Sequence, residues 1–142
     1  MTTRKQTDQF RHFNRFYTNY MGLLGNSLYD QPVNLTEARI LYELDSQAAI
    51  SARDLMKQLA LDKGYVSRLV KKFVKSGWVI ETRSKDDARI KTLRLTPEGD
   101  SLMTRLHGDA CEQAHHVLDK IADKDKKQLL KAMEIIEKIL SH

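Results

Sequence analysis

Residues 62–77 decide the fold, and they read DKGYVSRLVKKFVKSG. Asp62 is a good N-cap and Gly77 is a good helix terminator, so the segment predicts a helix between them. Four apolar residues fall at the i, i+3, i+4 and i+7 positions of one helical face: Val66, Leu69, Val70 and Phe73. The opposite side carries Gly64, Arg68, Lys71 and Lys75. The segment therefore predicts a helix that buries one side and presents a basic ridge on the other.

A second, shorter helix is predicted immediately before this one. Ser51 and Asp54 have capping-box spacing, and Leu55 and Leu59 would face inward. Two helices joined by a tight turn, the second of them basic, are typical of a helix-turn-helix.

Two short strands are predicted after the basic helix, over Trp78–Arg83 and Ile90–Leu95. The polar stretch 84–89 between them is expected to be a hairpin tip. A helix-turn-helix followed by such a hairpin is a winged helix-turn-helix, here over about residues 35–96.

Helical patterns flank this region on both sides. Aromatic and aliphatic residues recur at steps of three and four over about residues 8–29, and Asn34 or Thr36 can cap the next helix. Thr96-Pro97 is a strong helix start, and Asp123 restarts a last helix with Leu129, Met133, Ile136 and Leu140 inward. The predicted fold is mainly α with a small β-wing, in one domain over residues 1–142. The terminal helices over 8–29 and 97–141 carry more apolar surface than the winged region could cover, which favours a homodimer.

Positive charge is concentrated in the middle of the chain. Residues 51–91 hold 11 basic and 5 acidic side chains, whereas the other 101 residues hold 13 basic and 14 acidic ones. A basic patch in one segment is expected of a protein that binds a polyanion, although a solvated surface would give the same count.

The predicted basic helix suits the major groove of double-stranded DNA. Gly64 leaves no side chain to hold the helix away from the bases, and Tyr65 can stack or pack against the backbone. Further contacts are expected from Lys63, Ser67 and Arg68 to base edges or phosphates, and from Lys71, Lys72 and Lys75 to phosphates. Lys75 also lies where a positive charge favours a helix C-terminus, so its DNA role is left open.

The predicted wing adds Arg89, which can reach the DNA backbone or the minor groove. Asp87 lies two residues earlier and could hold the guanidinium of Arg89 by a bidentate pair. Lys85 and Lys91 are expected to contribute to phosphate binding in a general way, and for Lys91 a solvated position is the favoured interpretation.

Other chemistry finds little support in the sequence. There is no Gly-rich phosphate loop and no His-Glu-x-x-His motif, so an enzyme, a cofactor and a metal site are not expected. His107 and His115 flank the lone Cys111 at four-residue spacing, which could tune a thiolate or bind a metal; a half-buried cysteine is the favoured interpretation. The absence of a signal-like segment and of a long apolar run predicts a cytoplasmic protein without membrane contact.

Five residues could line an effector pocket between the terminal helices and the winged region: Tyr17, Tyr20, Met21, Tyr42 and Trp78. The same residues could equally be part of the core.

Several of these segments together resemble the MarR (multiple antibiotic resistance regulator) family. They are Leu55–Leu59, Asp62–Arg68, Ser76–Val79, Asp87–Arg89 and the Leu95-Thr-Pro-Glu-Gly99 run. Residues 13–17 (FNRFY) and 64–68 (GYVSR) are similar to the regulator half of fusions with GNAT acetyltransferases. No acetyltransferase domain is expected in 142 residues.

The resemblance implies a homodimer that binds a pseudo-palindromic operator as a repressor and is released by a small molecule. It also implies a recognition-helix role for Lys63, Gly64, Tyr65, Ser67, Arg68 and Lys71, and a wing-tip role for Arg89 with Asp87 orienting it. A second hypothesis stays open, because winged domains also serve as protein-interaction modules. On that hypothesis the chain is a regulatory remnant of an acetyltransferase fusion without an operator of its own.

Overall fold

Helices dominate the computed structural model, which describes residues 1–21, 31–47 and 49–141. In chain order the elements are α1 (Arg4–Tyr20), α2 (Leu35–Ser46), β1 (Ile50–Ser51), α3 (Ala52–Leu59), α4 (Lys63–Lys75), β2 (Val79–Arg83), β3 (Lys91–Leu95), α5 (Pro97–Leu118) and α6 (Asp123–Leu140). The prediction of a mainly helical fold with a small β-wing is confirmed.

Side-chain caps decide where the early helices begin. Asn34, not Thr36, caps α2: its Oδ1 accepts from the Glu37 N–H at 2.9 Å, and a Glu37 carboxylate oxygen accepts from the Asn34 N–H at 3.0 Å. Ser51 caps α3 by accepting from the Asp54 N–H at 3.1 Å, as predicted.

The first helix begins earlier than its apolar stripe suggested. The Thr3 hydroxyl accepts from the Gln6 N–H, and the Gln6 side-chain oxygen accepts from the Thr3 N–H. This capping box makes α1 begin at Arg4. The predicted start near residue 8 was therefore wrong by one turn. Its predicted end near residue 29 lies outside the described residues.

The wing strands form an antiparallel sheet in the order β1-β3-β2. β2 pairs with β3 from Val79 opposite Leu95 to Arg83 opposite Lys91. Trp78 and Ile90, which the prediction included, lie just before the two strands. The sequence pattern missed β1, whose Ile50 pairs with Leu93.

The core of the unit formed by residues 1–106 lies between the helices and this sheet. Its fully buried large side chains are Val33, Ile40, Leu41, Leu55, Val66, Phe73, Leu93 and Leu102. α4 contributes Val66, Val70 and Phe73, which confirms the predicted apolar face and leaves its basic side in solvent.

The end of α4 is tied to the start of α5. Gly77 adopts a positive φ of 82°, and the Trp78 N–H returns to the Phe73 carbonyl at 3.0 Å. The Thr96 hydroxyl donates to the Gly77 carbonyl, and the Thr96 N–H donates to the Trp78 carbonyl at 3.0 Å. Gly99 lies so close that an added Cβ would stand 2.1 Å from the Trp78 carbonyl oxygen.

Apolar side chains remain exposed on the terminal helices. α1 buries none of its residues and exposes Phe10, Phe13, Phe16 and Tyr20. In the second unit, residues 107–142, α6 exposes Met133, Ile136 and Leu140, which were predicted to face inward. The single-domain organisation stays a prediction. Within the described residues, no helix combines the length and apolarity needed to cross a bilayer.

Candidate nucleic-acid interface

α4 begins immediately after the tight turn that separates it from α3. Ala60 takes the left-handed conformation at φ 52°, and the Leu61 N–H closes the end of α3 by donating to the Met56 carbonyl at 3.1 Å. Asp62 then caps α4, since its carboxylate accepts from the Tyr65 N–H at 3.2 Å. This turn leaves the first residues of α4 at the surface.

The structure brings the predicted α4 residues to one exposed side of the helix. Those in solvent are Lys63, Gly64, Ser67, Arg68, Lys71, Lys72 and Lys75, whereas Tyr65 is half-buried. The guanidinium carbon of Arg68 lies 5.9 Å from the ring centroid of Tyr65, within the range of a cation–π contact. Arg68 thus lies back along the helix toward its N-terminus, where side chains reach base edges when such a helix docks in the major groove.

At the tip of the wing, Asp87 holds Arg89 in the predicted bidentate pair. The Arg89 Nε donates to one carboxylate oxygen at 3.1 Å and Nη2 donates to the other at 3.1 Å. The Arg89 backbone N–H adds a third bond at 3.0 Å. These bonds, the side-chain ones first, lower the pKa of Asp87 below its ordinary value of 3.8.

Backbone bonds shape the same tip. The Ser84 N–H donates to the Ile90 carbonyl at 2.7 Å, and the Ile90 N–H donates to the Asp87 carbonyl at 3.0 Å. Arg83 also stabilises the turn, because its guanidinium donates to the Ala88 carbonyl at 3.1 Å. Arg89 therefore projects from a turn that several hydrogen bonds stabilise.

An open groove of about 350 Å³ runs between α4 and the wing strands. Its lining residues are Ser67, Val70, Lys71, Val74, Lys75, Glu81 and Lys91. The Lys91 ammonium lies 3.5 Å from the Glu81 carboxylate, so Lys91 joins the basic side of α4 instead of pointing away from it. Strand register places Lys91 beside this groove. The sequence had left two interpretations open for it, a general phosphate contact and a solvated position, and both stay predictions.

Lys72 differs from the other lysines of α4 because it has a buried partner. Its ammonium lies 2.5 Å from a carboxylate oxygen of Glu37, whose side chain is 3% exposed. Sequence reasoning missed Glu37, for which the only available signal was its capping-box distance from Asn34. The role of Lys72 in phosphate binding stays a prediction.

Four of the five proposed effector-pocket residues make ring contacts, and these contacts lie in different places. Tyr17 stacks on Phe13 and Tyr20 on Phe16, both along α1. Tyr42 lies beneath the guanidinium of Arg39, and Trp78 packs against Phe73 in the core. Met21 is half-buried at the end of α1. The effector pocket stays a prediction.

The side chains around Cys111 form no evident metal site. Cys111, His107 and His115 are all exposed, so the expectation of a half-buried cysteine was wrong. No group of three His, Cys, Asp or Glu residues suited to a metal ion occurs in the part of the chain that the structure describes.

Comparison with known proteins shows which family the middle of the chain resembles. A family model described as MarR family matches residues 31–90, from the start of the core to the wing tip. Over these residues, which are fewer than half of the chain, the sequence is similar to the MarR family. The HTH-type transcriptional regulator BilQ of Clostridium symbiosum is 30% identical to it over 88 residues, which are 62% of this chain and 61% of that protein. The multiple antibiotic resistance protein MarR of Salmonella typhimurium is 25% identical over 83% of this chain and 81% of its own length.

Solved structures share the fold of this chain over nearly its whole length. A MarR family transcriptional regulator from Streptomyces coelicolor, crystallised in complex with DNA, aligns with a TM-score of 0.74 at 20% identity. The alignment covers 100% of this chain and 91% of that one. A mutant of Staphylococcus aureus MepR aligns with a TM-score of 0.78 at 16% identity and covers 99% of this chain and 100% of that one.

Proposed function

We propose that this protein is a sequence-specific DNA-binding transcriptional regulator. The observation that carries the proposal is the exposed basic side of α4, which stands beside a wing whose Arg89 is already oriented by Asp87. An α-helix of this kind fits the major groove, and an arginine on an adjacent hairpin can enter the minor groove. Relatives named as HTH-type transcriptional regulators support the same function.

The proposed contacts divide by chemistry. Lys63, Ser67 and Arg68 read base edges or grip nearby phosphates, with Gly64 allowing close approach and Tyr65 packing against the backbone. Lys71 and Lys85 bind phosphates, and the groove beside Lys71 leaves room for the sugar-phosphate chain. Such a protein works where the chromosome is, which makes the cytoplasm its proposed location.

We further propose that the active form is a homodimer that represses from a pseudo-palindromic operator and is released by a small molecule. The exposed aromatic stripe of α1 and the exposed aliphatic stripe of α6 support the dimer, because monomeric proteins seldom leave such surface uncovered. Two recognition helices related by a two-fold axis would then engage half-sites about 34–36 Å apart. The likeness of residues 13–17 and 64–68 to regulators fused to acetyltransferases stays a prediction.

Direct binding tests the function. Fragments from upstream of the coding gene and its neighbours, and random DNA of equal length, are titrated with protein across a salt series. We expect one fragment to bind at least about a thousandfold more tightly than random DNA. Weak binding that is equal on all DNA would contradict the proposal and favour the protein-interaction module instead.

A further inference from the structure

The ion pair between Glu37 and Lys72 joins α2 to the recognition helix across 35 residues of chain. Both Glu37 carboxylate oxygens are engaged, one by the Lys72 ammonium at 2.5 Å and the other by the Asn34 N–H at 3.0 Å. The carboxylate is 3% exposed, whereas the Lys72 side chain is 52% exposed. A buried carboxylate that loses its partner is costly, so Lys72 is held at Glu37 more firmly than a surface lysine is held at a surface acid.

The position of Lys72 on α4 gives this pair a consequence for DNA. Lys72 follows Arg68 by four residues, so the two side chains leave the same side of the helix one turn apart. The core contacts of Val66, Val70 and Phe73 already limit how far α4 can rotate, because the core is close-packed. The ion pair with Glu37 adds a restraint at the edge of this buried face, one turn from Arg68, and opposes the small rotation of α4 that would move Arg68 away from a base edge.

We propose, on the basis of the proposed DNA-binding role of α4, that Glu37 is a positioning residue that fixes the rotation of the recognition helix through Lys72. On this proposal Lys72 connects α4 to α2 through its ion pair with Glu37, and its charge is not available to a DNA phosphate. The sequence-based role of Lys72 as a phosphate contact gives the opposite expectation for several variants.

Glu37→Gln is the sharpest variant, because glutamine at this position can still accept the Asn34 N–H and keep the cap of α2. The positioning role predicts weaker operator binding, by about tenfold, or about 1.4 kcal/mol. If Lys72 were a phosphate contact, the same change would release its ammonium and strengthen binding to all DNA. Glu43→Gln is the matched control: it makes the same change of charge on α2, at a residue paired with Arg39 and not with α4.

Lys72→Met and Lys71→Met provide the second comparison, because they are adjacent on α4 and remove the same charge. Loss of a phosphate contact flattens the salt dependence by about 0.9 per contact, and this is expected for Lys71→Met on operator and random DNA alike. Lys72→Met is expected to lower operator affinity about tenfold, leave random DNA within about twofold, and keep the wild-type salt slope. The Glu37→Gln/Lys72→Met double variant should be no weaker than either single variant, since one interaction is lost in all three.

All affinities are measured well below the melting temperature of each variant, so that a loss of stability alone does not alter them. A flattened salt slope in Lys72→Met, stronger binding by Glu37→Gln, or lowered melting temperatures with unchanged operator selectivity would each overturn the positioning role. A wild-type protein and a Lys71→Met variant that both lack any operator preference would overturn the proposed function itself.

Discussion

Arg68 is the side chain whose loss should separate base reading from backbone binding. We expect Arg68→Ala to cost roughly 1–3 kcal/mol on the operator and far less on random DNA, because a bidentate contact to a base edge is specific to sequence. Competition binding with operator variants measures this and should show relaxed preference at one position of each half-site.

Arg68→Lys is the control for that experiment. It keeps the charge but loses the planar fork that matches a guanine edge, so it should resemble Arg68→Ala in selectivity. Equal losses on operator and random DNA in both variants would make Arg68 a phosphate contact.

Asp87 provides a prediction about pH. Because Arg89 lowers the pKa of Asp87 below 3.8, we expect the carboxylate to remain charged, and the pair to persist, to a lower pH than for an ordinary aspartate. The stability that the pair contributes is lost only as the pH falls through the lowered pKa. A carboxyl-carbon NMR titration should give a midpoint below 3.8 for the wild type and a higher midpoint for Arg89→Ala.

Lys85→Ala serves as the control, since the bonds that lower the pKa of Asp87 come from Arg89. An unchanged midpoint in Arg89→Ala would mean that the pair does not persist in solution.

Sequence distance explains which of these side-chain pairs could be predicted. Asp87 and Arg89 are two residues apart on a tight turn, so their residue types alone indicated the pair. Glu37 and Lys72 are 35 residues apart, and only the packing of α2 and α4 into one core sets their distance. No local pattern carries that information.

Among the elements, the start of α5 depends on Gly99, because there is no space for a side chain at this position. An alanine Cβ at position 99 would stand 2.1 Å from the Trp78 carbonyl oxygen, and that oxygen belongs to backbone that cannot simply rotate away. We expect Gly99→Ala to lower the free energy of unfolding by roughly 1–3 kcal/mol or more, measured by urea denaturation.

Gly108→Ala is the matched control on the same helix. A Cβ at position 108 would meet nothing within 4 Å, so the change should raise stability by up to about 1 kcal/mol through helix propensity. A Gly99→Ala protein as stable as Gly108→Ala would contradict the close packing.

Elements with strong local signals were predictable, and those without them were not. Asp62 and Ser51 are typical N-cap residues, and they cap α4 and α3 as predicted. β1 has only two residues, too few to show the alternation of apolar and polar residues typical of a strand. It forms because Ile50 pairs with Leu93 of β3. Tertiary pairing of this kind leaves no periodic trace.

For the whole molecule, the exposed stripes of α1 and α6 predict the assembly. We expect Phe13→Asp and Ile136→Asp each to convert a dimer into a monomer, because a carboxylate cannot be buried unpaired in an apolar contact. Sedimentation velocity should show the apparent mass halved, and operator affinity should fall strongly since only one half-site is engaged.

Glu134→Gln lies on the same helix at an exposed polar position and should leave the dimer intact. Dimers that survive both aspartate substitutions would place the interface elsewhere.

The packing of Gly99 on the Trp78 carbonyl also bears on motion. Because there is no room for a methyl group at this contact, the first turn of α5 cannot easily slide along the backbone at Trp78. The hydrogen bonds of Thr96 to Gly77 and Trp78 hold the same part of the chain. We therefore expect the end of α4 and the first turn of α5 to move together. In the proposed dimer, a change in the direction of the first turn of α5 would then change the direction of α4, and with it the distance between the two recognition helices.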